Sequence, residues 1–229
     1  MIEVYALKID RRIESIKFNS LMHYVDKSRQ NAISRFCKYE DAQRSLFSEL
    51  LIRSKATNKL KINSSAIQFN KNEFGKPFIK NLPGFCFNIS HSGEWVVCAI
   101  DNEEIGIDIE EICPIDLQIA NEFFTKQEII EMQSKLLEQK LLYFYDLWTL
   151  KESYIKAWGK GLSIPLDSFS LKVNSVQNIE LKTNNDFRGC YFKQYDIDPD
   201  YKMAVCSLKS EFPEHVIVEN MDEFIESIK

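Results

Sequence analysis

The chain has 229 residues, a net charge of −5, 45% hydrophobic and 28% charged residues, a composition that suits one large globular unit or two smaller ones with a real core. No apolar run approaches about 18 residues, which excludes a membrane-spanning helix, and the acidic balance argues against a general nucleic-acid binder. The six cysteines (37, 86, 98, 113, 190 and 206) are scattered without C-x-x-C spacing, so reduced, buried thiols in a cytoplasmic protein are expected, and no zinc site.

In chain order, Met1 to Ile9 alternates like a strand and lacks the basic-then-apolar layout of a signal peptide. Residues 12–35 read as polar and helical, with basic residues at Lys17, Lys27, Arg29 and Arg35. Glu40 to Thr57 is an amphipathic helix, with Ala42, Leu46, Leu50 and Ile52 at helical spacing. A Gly75-Lys76-Pro77 turn precedes Phe85 to Gly93, whose Asn88-Ile89-Ser90-His91-Ser92-Gly93 segment reads as a donor-rich turn, and a buried strand from Trp95 to Ile100. The second half repeats this order: polar helix over 115–135, long amphipathic helix from Gln139 to Trp158, a Gly159-Lys160-Gly161-Leu162 turn, strands near Phe169–Leu171 and Tyr191–Tyr195, and a buried strand from Met203 to Leu208. The expected fold is therefore α+β, two pseudosymmetric α/β subdomains over 1–102 and 103–229 with the active site in the cleft between them. The acidic end, from Glu214 to Lys229, either docks as a helix on the first subdomain or frays.

Two stretches carry the chemistry. Ile105-Gly106-Ile107-Asp108-Ile109-Glu110 alternates with period two, which aims Asp108 and Glu110 the same way from a strand with one buried face. On the long helix, Glu152 and Lys156 sit four apart on one side. Two carboxylates about 5 Å apart repel by roughly 3 kcal/mol at an effective dielectric near 20. If strand and helix meet, three carboxylates need a cation, and oxygen ligands that leave room for phosphates suit Mg²⁺. Spacing alone leaves the ordinary alternative, solvated acids and a surface ion pair. The serine hydroxyl, imidazole and backbone N–H groups around Ser90 and His91 could cradle phosphate or could simply satisfy a turn.

Phe87-Asn88-Ile89-Ser90-His91-Ser92, Ile105 to Glu110 and Trp148-Thr149-Leu150-Lys151-Glu152-Ser153-Tyr154-Ile155-Lys156 together resemble the three ordered motifs of the 4′-phosphopantetheinyl transferases, most of all the monomeric type that activates the surfactin synthetase. The resemblance runs end to end through Glu40-Asp41-Ala42, Phe74 to Pro77, Gly159 to Ser163, Pro165 to Phe169 and Tyr201 to Cys206. It implies transfer of phosphopantetheine from coenzyme A to a serine of an apo acyl or peptidyl carrier protein, with release of adenosine 3′,5′-bisphosphate. It further implies Asp108, Glu110 and Glu152 as ligands of Mg²⁺ (or Mn²⁺), Lys156 on the pyrophosphate, and Glu152 or a metal-bound water as the base. Ser90 and His91 would contact coenzyme A phosphates, Gly75, Lys76 and Pro77 would line the adenine side, and Ser45 would lie near the nucleotide. The family often has two basic residues three apart to grip the 3′-phosphate; the matching positions are Arg29 and Ala32, so one is missing. The implied partners are coenzyme A and the carrier, with no nucleic acid or membrane, for a cytoplasmic monomer. A Mg²⁺-dependent nuclease and a non-catalytic coenzyme A or carrier binder are the other classes; the first lacks its acid-x-Lys pair and basic groove, and the second would lack one of the three acids.

Overall fold

Alternating apolar residues make the amino-terminal segment a strand with both faces buried, and the rest of the first half is laid around it. The computed structural model describes residues 1–80, 82–175 and 178–228. β1 (Glu3–Lys8) is followed by helices α1 (Ser15–Met22), α2 (Lys27–Ile33) and α3 (Tyr39–Leu60), a small hairpin of β2 (Phe69–Lys71) and β3 (Pro77–Ile79), and the pair β4 (Cys86–Ser92) and β5 (Trp95–Asp101). The polar 12–35 segment is two short helices, with Asp26 capping the second by accepting from the Arg29 N–H.

The second half runs β6 (Ile105–Glu111), α4 (Ala120–Phe123), α5 (Lys126–Gln133), α6 (Leu137–Trp158), the antiparallel pair β7 (Phe169–Ser175) and β8 (Asn178–Thr183), then β9 (Tyr191–Gln194) and β10 (Tyr201–Ser207). Both halves place a 22-residue helix after their first strand, and both pair their three main strands antiparallel, β1-β5-β4 in one and β6-β10-β9 in the other. The pattern read in the sequence is thus a repeat of topology.

Helical spacing on α3 sends Leu46, Phe47 and Leu50 onto Leu7, Phe87, Val96 and Cys98 of the first sheet. On α6 the same spacing packs Phe144, Leu147, Leu150 and Tyr154 on Phe192, Ala204 and Cys206 of the second. The opposite sheet faces share a third core: Val4, Ala6, Val97 and Ala99 against Ile107, Ile109, Met203 and Val205. The layers are helix, sheet, sheet, helix. The apolar core of the seam is as buried as those of the lobes, so the two lobes form one packed body.

Two expectations change here. β6 is buried on both faces, because the side bearing Gly106 and Asp108 lies under α6. A Cβ on Gly106 would come within 2.0 Å of the Ser153 carbonyl oxygen and 2.4 Å of the Ala157 nitrogen, so only glycine allows this approach. The 88–93 segment is mostly strand, since β4 continues to Ser92 and the turn falls at Gly93 and Glu94. The acidic tail docks, and does so on the first lobe. β11 (Ile217–Glu219) pairs parallel with β1, and α7 (Met221–Ser227) buries Met221, Phe224 and Ile225 in the first core. The expected 103–229 unit therefore gives up its last dozen described residues to its partner lobe; Lys229 lies outside the described residues.

Candidate active site

Strand alternation divides the chemistry of β4 between its two faces. Phe87, Ile89 and His91 line a cleft of about 340 Å³ in the first lobe, with Arg29 from α2, Ser48 and Glu49 from α3, and Gly75 and Pro77 from the β2–β3 turn. Asn88, Ser90 and Ser92 face the outer edge of β6. There the Ile107 N–H donates to Asn88 Oδ1 (3.0 Å) and the Glu111 N–H to Ser92 Oγ (3.0 Å), so two side chains satisfy a strand edge that has no neighbouring strand among the described residues. These two bonds set β4 and β6 side by side.

Between them lies the charged cluster, at the seam of the lobes. Lys156 Nζ donates to Asp108 Oδ1 (2.5 Å) and to Ser90 Oγ (3.0 Å), and Ser90 Oγ donates to Asp108 Oδ1 (2.8 Å). Ser92 Oγ donates to Glu110 Oε2 (2.9 Å). Burial and then the Asp108 charge push the Glu110 carboxyl above its usual range. The same two causes push Glu152 up to about 7, although Lys156 pulls the other way. The structure thus brings Ser90, Asp108, Glu110, Glu152 and Lys156 together.

Whether this set suits a metal is a question of donors. Asp108 Oδ2 is buried and has no hydrogen-bond partner among the described residues, and burial, then the Asp108 charge, holds its two companion carboxyls against ionisation. A set of oxygen donors short of positive charge fits a hard divalent cation. The cage is not preformed: among the described residues no three acidic, imidazole or thiol groups converge as ligands, and the Lys156 ammonium supplies the charge that Asp108 needs.

The nucleotide-side residues divide. Arg29, Gly75, Pro77 and His91 line the cleft. Crowding by surrounding protein atoms and then the Arg44 charge lower the His91 imidazole below its ordinary value, although the side chain stays exposed. Ser45 is buried behind Arg29 and holds it, accepting from Arg29 Nη2 at both its Oγ (2.9 Å) and its carbonyl (3.0 Å). Arg29 is further tied through Nε to Glu49 (3.0 Å), so its guanidinium is partly committed. Lys76 departs most from expectation: its ammonium leaves the cleft for the end of α6, because the carbonyls there need a donor. Sequence reading missed Arg44, whose Nη1 donates to the Gly93 carbonyl (2.7 Å) and whose charge acts on His91; nothing in the local pattern of α3 marks it. It also missed the bridging roles of Asn88 and Ser92.

The fold is two-lobed α+β, and acids, a lysine and a serine meet at its seam. The family model of the 4′-phosphopantetheinyl transferase superfamily matches residues 104–206, and that of the 4′-phosphopantetheinyl transferase N-terminal region matches residues 13–103. The chain is 40% identical over 223 residues to the 4′-phosphopantetheinyl transferase Sfp of Bacillus subtilis strain 168, covering 97% of this chain and 100% of that one. It is 41% identical to the transferase ffp of Bacillus subtilis (93% and 96% covered) and 44% identical to the transferase gsp of Aneurinibacillus migulanus (92% and 87% covered). The chain belongs to the 4′-phosphopantetheinyl transferase superfamily and is an enzyme of that class.

Proposed function

We propose that this enzyme moves the 4′-phosphopantetheine group from coenzyme A to a serine hydroxyl of an apo acyl or peptidyl carrier protein. The carrier serine oxygen forms a bond to the pantetheine-side phosphorus of the pyrophosphate. The bond from that phosphorus to the bridging oxygen breaks, and adenosine 3′,5′-bisphosphate leaves with that oxygen. Asp108, Glu110 and Glu152 would hold Mg²⁺, or Mn²⁺ in its place, which when bound neutralises charge on the pyrophosphate. Lys156 adds its ammonium to the same charge, and Ser90 orients a phosphate oxygen. Glu152 takes the serine proton as the general base. His91 and Arg29 in the first-lobe cleft face the nucleotide, with Gly75 and Pro77 beside its base. The working unit is a cytoplasmic monomer with a protein partner and no nucleic acid or lipid surface; no helix among the described residues is long and apolar enough to cross a membrane.

One observation carries this reading: Ser90, Asp108 and Lys156 lie within 3.0 Å of one another, from three elements and both lobes. The test is chromatography of coenzyme A incubated with the enzyme, Mg²⁺ and an apo carrier. One adenosine 3′,5′-bisphosphate per coenzyme A consumed, only with carrier present, is expected. Consumption without carrier, or release of a different nucleotide, overturns the reading.

A further inference from the structure

The β2–β3 turn has two sides. On one, Gly75 and Pro77 line the cleft. On the other, Asn72 and Lys76 reach across the seam to the carboxyl end of α6. Asn72 Oδ1 fixes the turn by accepting from the Phe74 N–H (3.0 Å) and the Lys76 N–H (2.9 Å), while its Nδ2 donates to the Gly159 carbonyl (2.8 Å). Lys76 Nζ donates to the Ala157 carbonyl (2.8 Å) and the Ile105 carbonyl (3.4 Å), and pairs with Glu104. The fit is close, since a Cβ on Gly159 would come within 2.7 Å of Lys76 Cδ.

The last carbonyls of a helix lack partners of their own, and a cation there is favoured by the helix dipole. Lys76 meets both needs. It also touches the start of β6 with the same ammonium. α6 carries Glu152 and Lys156, and β6 carries Asp108 and Glu110. One side chain of the first lobe therefore holds together the two second-lobe elements that bear every charged group of the cluster, on a turn whose opposite side faces the cleft.

We propose that Lys76, supported by Asn72, is a positioning residue for the transfer. It acts through the end of α6 to keep Glu152 and Lys156 in place against Asp108, and its ammonium is no ligand of the nucleotide. The inference rests on the transferase reading given above.

The test compares wild type with Lys76→Met, which keeps length and loses charge, Lys76→Arg, which keeps charge, and Asn72→Ala. Coenzyme A is varied in the transfer assay, adenosine 3′,5′-bisphosphate affinity is measured by calorimetry, and amide exchange is followed along α6. For Lys76→Met, kcat should fall about tenfold to a hundredfold, the scale of a small misplacement of catalytic groups. KM and nucleotide affinity should stay within about twofold, and exchange should quicken over residues 153–159. Asn72→Ala should show a weaker form of the same pattern, and Lys76→Arg should recover part of the rate. A raised KM and weakened nucleotide binding with unchanged kcat overturns the proposal in favour of a ligand role. Lower thermal stability with kcat and exchange unchanged overturns it in favour of a merely structural one. If wild type transfers nothing, the transferase reading fails, while exchange along α6 still decides whether Lys76 holds the helix.

Discussion

Glu152 is half-buried, has no hydrogen-bond partner among the described residues and lies near the Asp108 and Glu110 carboxyls; burial first, and then the Asp108 charge, raise its carboxyl to about 7. The sign of the consequence follows from proton counting. Between about pH 4.5 and 7 the folded metal-free protein binds more protons here than the unfolded chain does, so stability falls as pH rises through that window. Replacing Glu152 with Gln should abolish turnover yet flatten this loss, leaving the metal-free variant at pH 8 as stable as wild type or up to about 2 kcal/mol more so. Urea unfolding at pH 5 and pH 8 in the presence of chelator checks it; a variant less stable than wild type at pH 8 would make Glu152 a structural residue. At the nucleotide end, Arg29 divides its guanidinium between Ser45 and Glu49, and Ala32 is exposed with no charge to offer. Charge-assisted contacts to phosphate are worth about 1.5–3 kcal/mol when partly buried and less in solvent. Coenzyme A should be preferred over dephospho-coenzyme A by a modest margin, and Ala32→Lys should widen the KM ratio by roughly threefold to tenfold. An unchanged ratio would show that another residue already fills that role or that α2 does not face the nucleotide. Spacing placed Asp108 and Glu110 on one side of a strand and Glu152 and Lys156 on one side of a helix, but only the family resemblance joined the two pairs, and Ser90 read as part of a turn. The commitments of Arg29, Ser45 and Lys76 were not legible, since each depends on a partner far along the chain.

At the level of elements, the site depends on how closely β6 lies to α6. Gly106 sets that distance, with the Ser153 and Ala157 backbone where a methyl group would be. Gly106→Ala should cost about 1–3 kcal/mol as overpacking forces the helix outward. Turnover per folded molecule should drop as well, since Glu152 and Lys156 ride on the same helix. Urea unfolding alongside kcat tests this; retained kcat would mean that the cluster tolerates the shift. The amphipathic helices and buried strands were readable from periodicity, and α3, α6, β5 and β10 fall close to where the pattern puts them. β4 was harder. Its Asn88, Ser90 and Ser92 look like turn residues because their polar face is turned to the edge of β6, and only the paired lobe reveals what they bond. Short strands such as β2, β3 and β11 have too few residues to show a period.

For the whole molecule, the repeated topology makes two lobes, and a buried apolar seam and a returning tail make them one body. α7 places Phe224 against Phe47, ring centroids 6.2 Å apart, while β11 covers one edge of β1. Cutting the chain before Val216 should therefore lower stability by on the order of 3 kcal/mol or more, since three apolar side chains leave the core at about 1.5–3 kcal/mol each. Activity per folded molecule should persist, because none of the described tail residues bonds to the cluster; a stable but inactive truncation would show that the tail serves the site. Docking of the tail on the first lobe was one of two readings of its acidic end, and the pairing of β11 with β1 selects it. The central claim concerns the seam, where first-lobe Ser90 meets second-lobe Asp108 and Lys156. Its most direct test is the intact mass of an apo carrier protein after incubation with this enzyme and coenzyme A, with and without Mg²⁺. A single added phosphopantetheine on serine, seen only with divalent metal, is expected. A carrier left unmodified in both arms, while a known transferase modifies it in parallel, contradicts the claim.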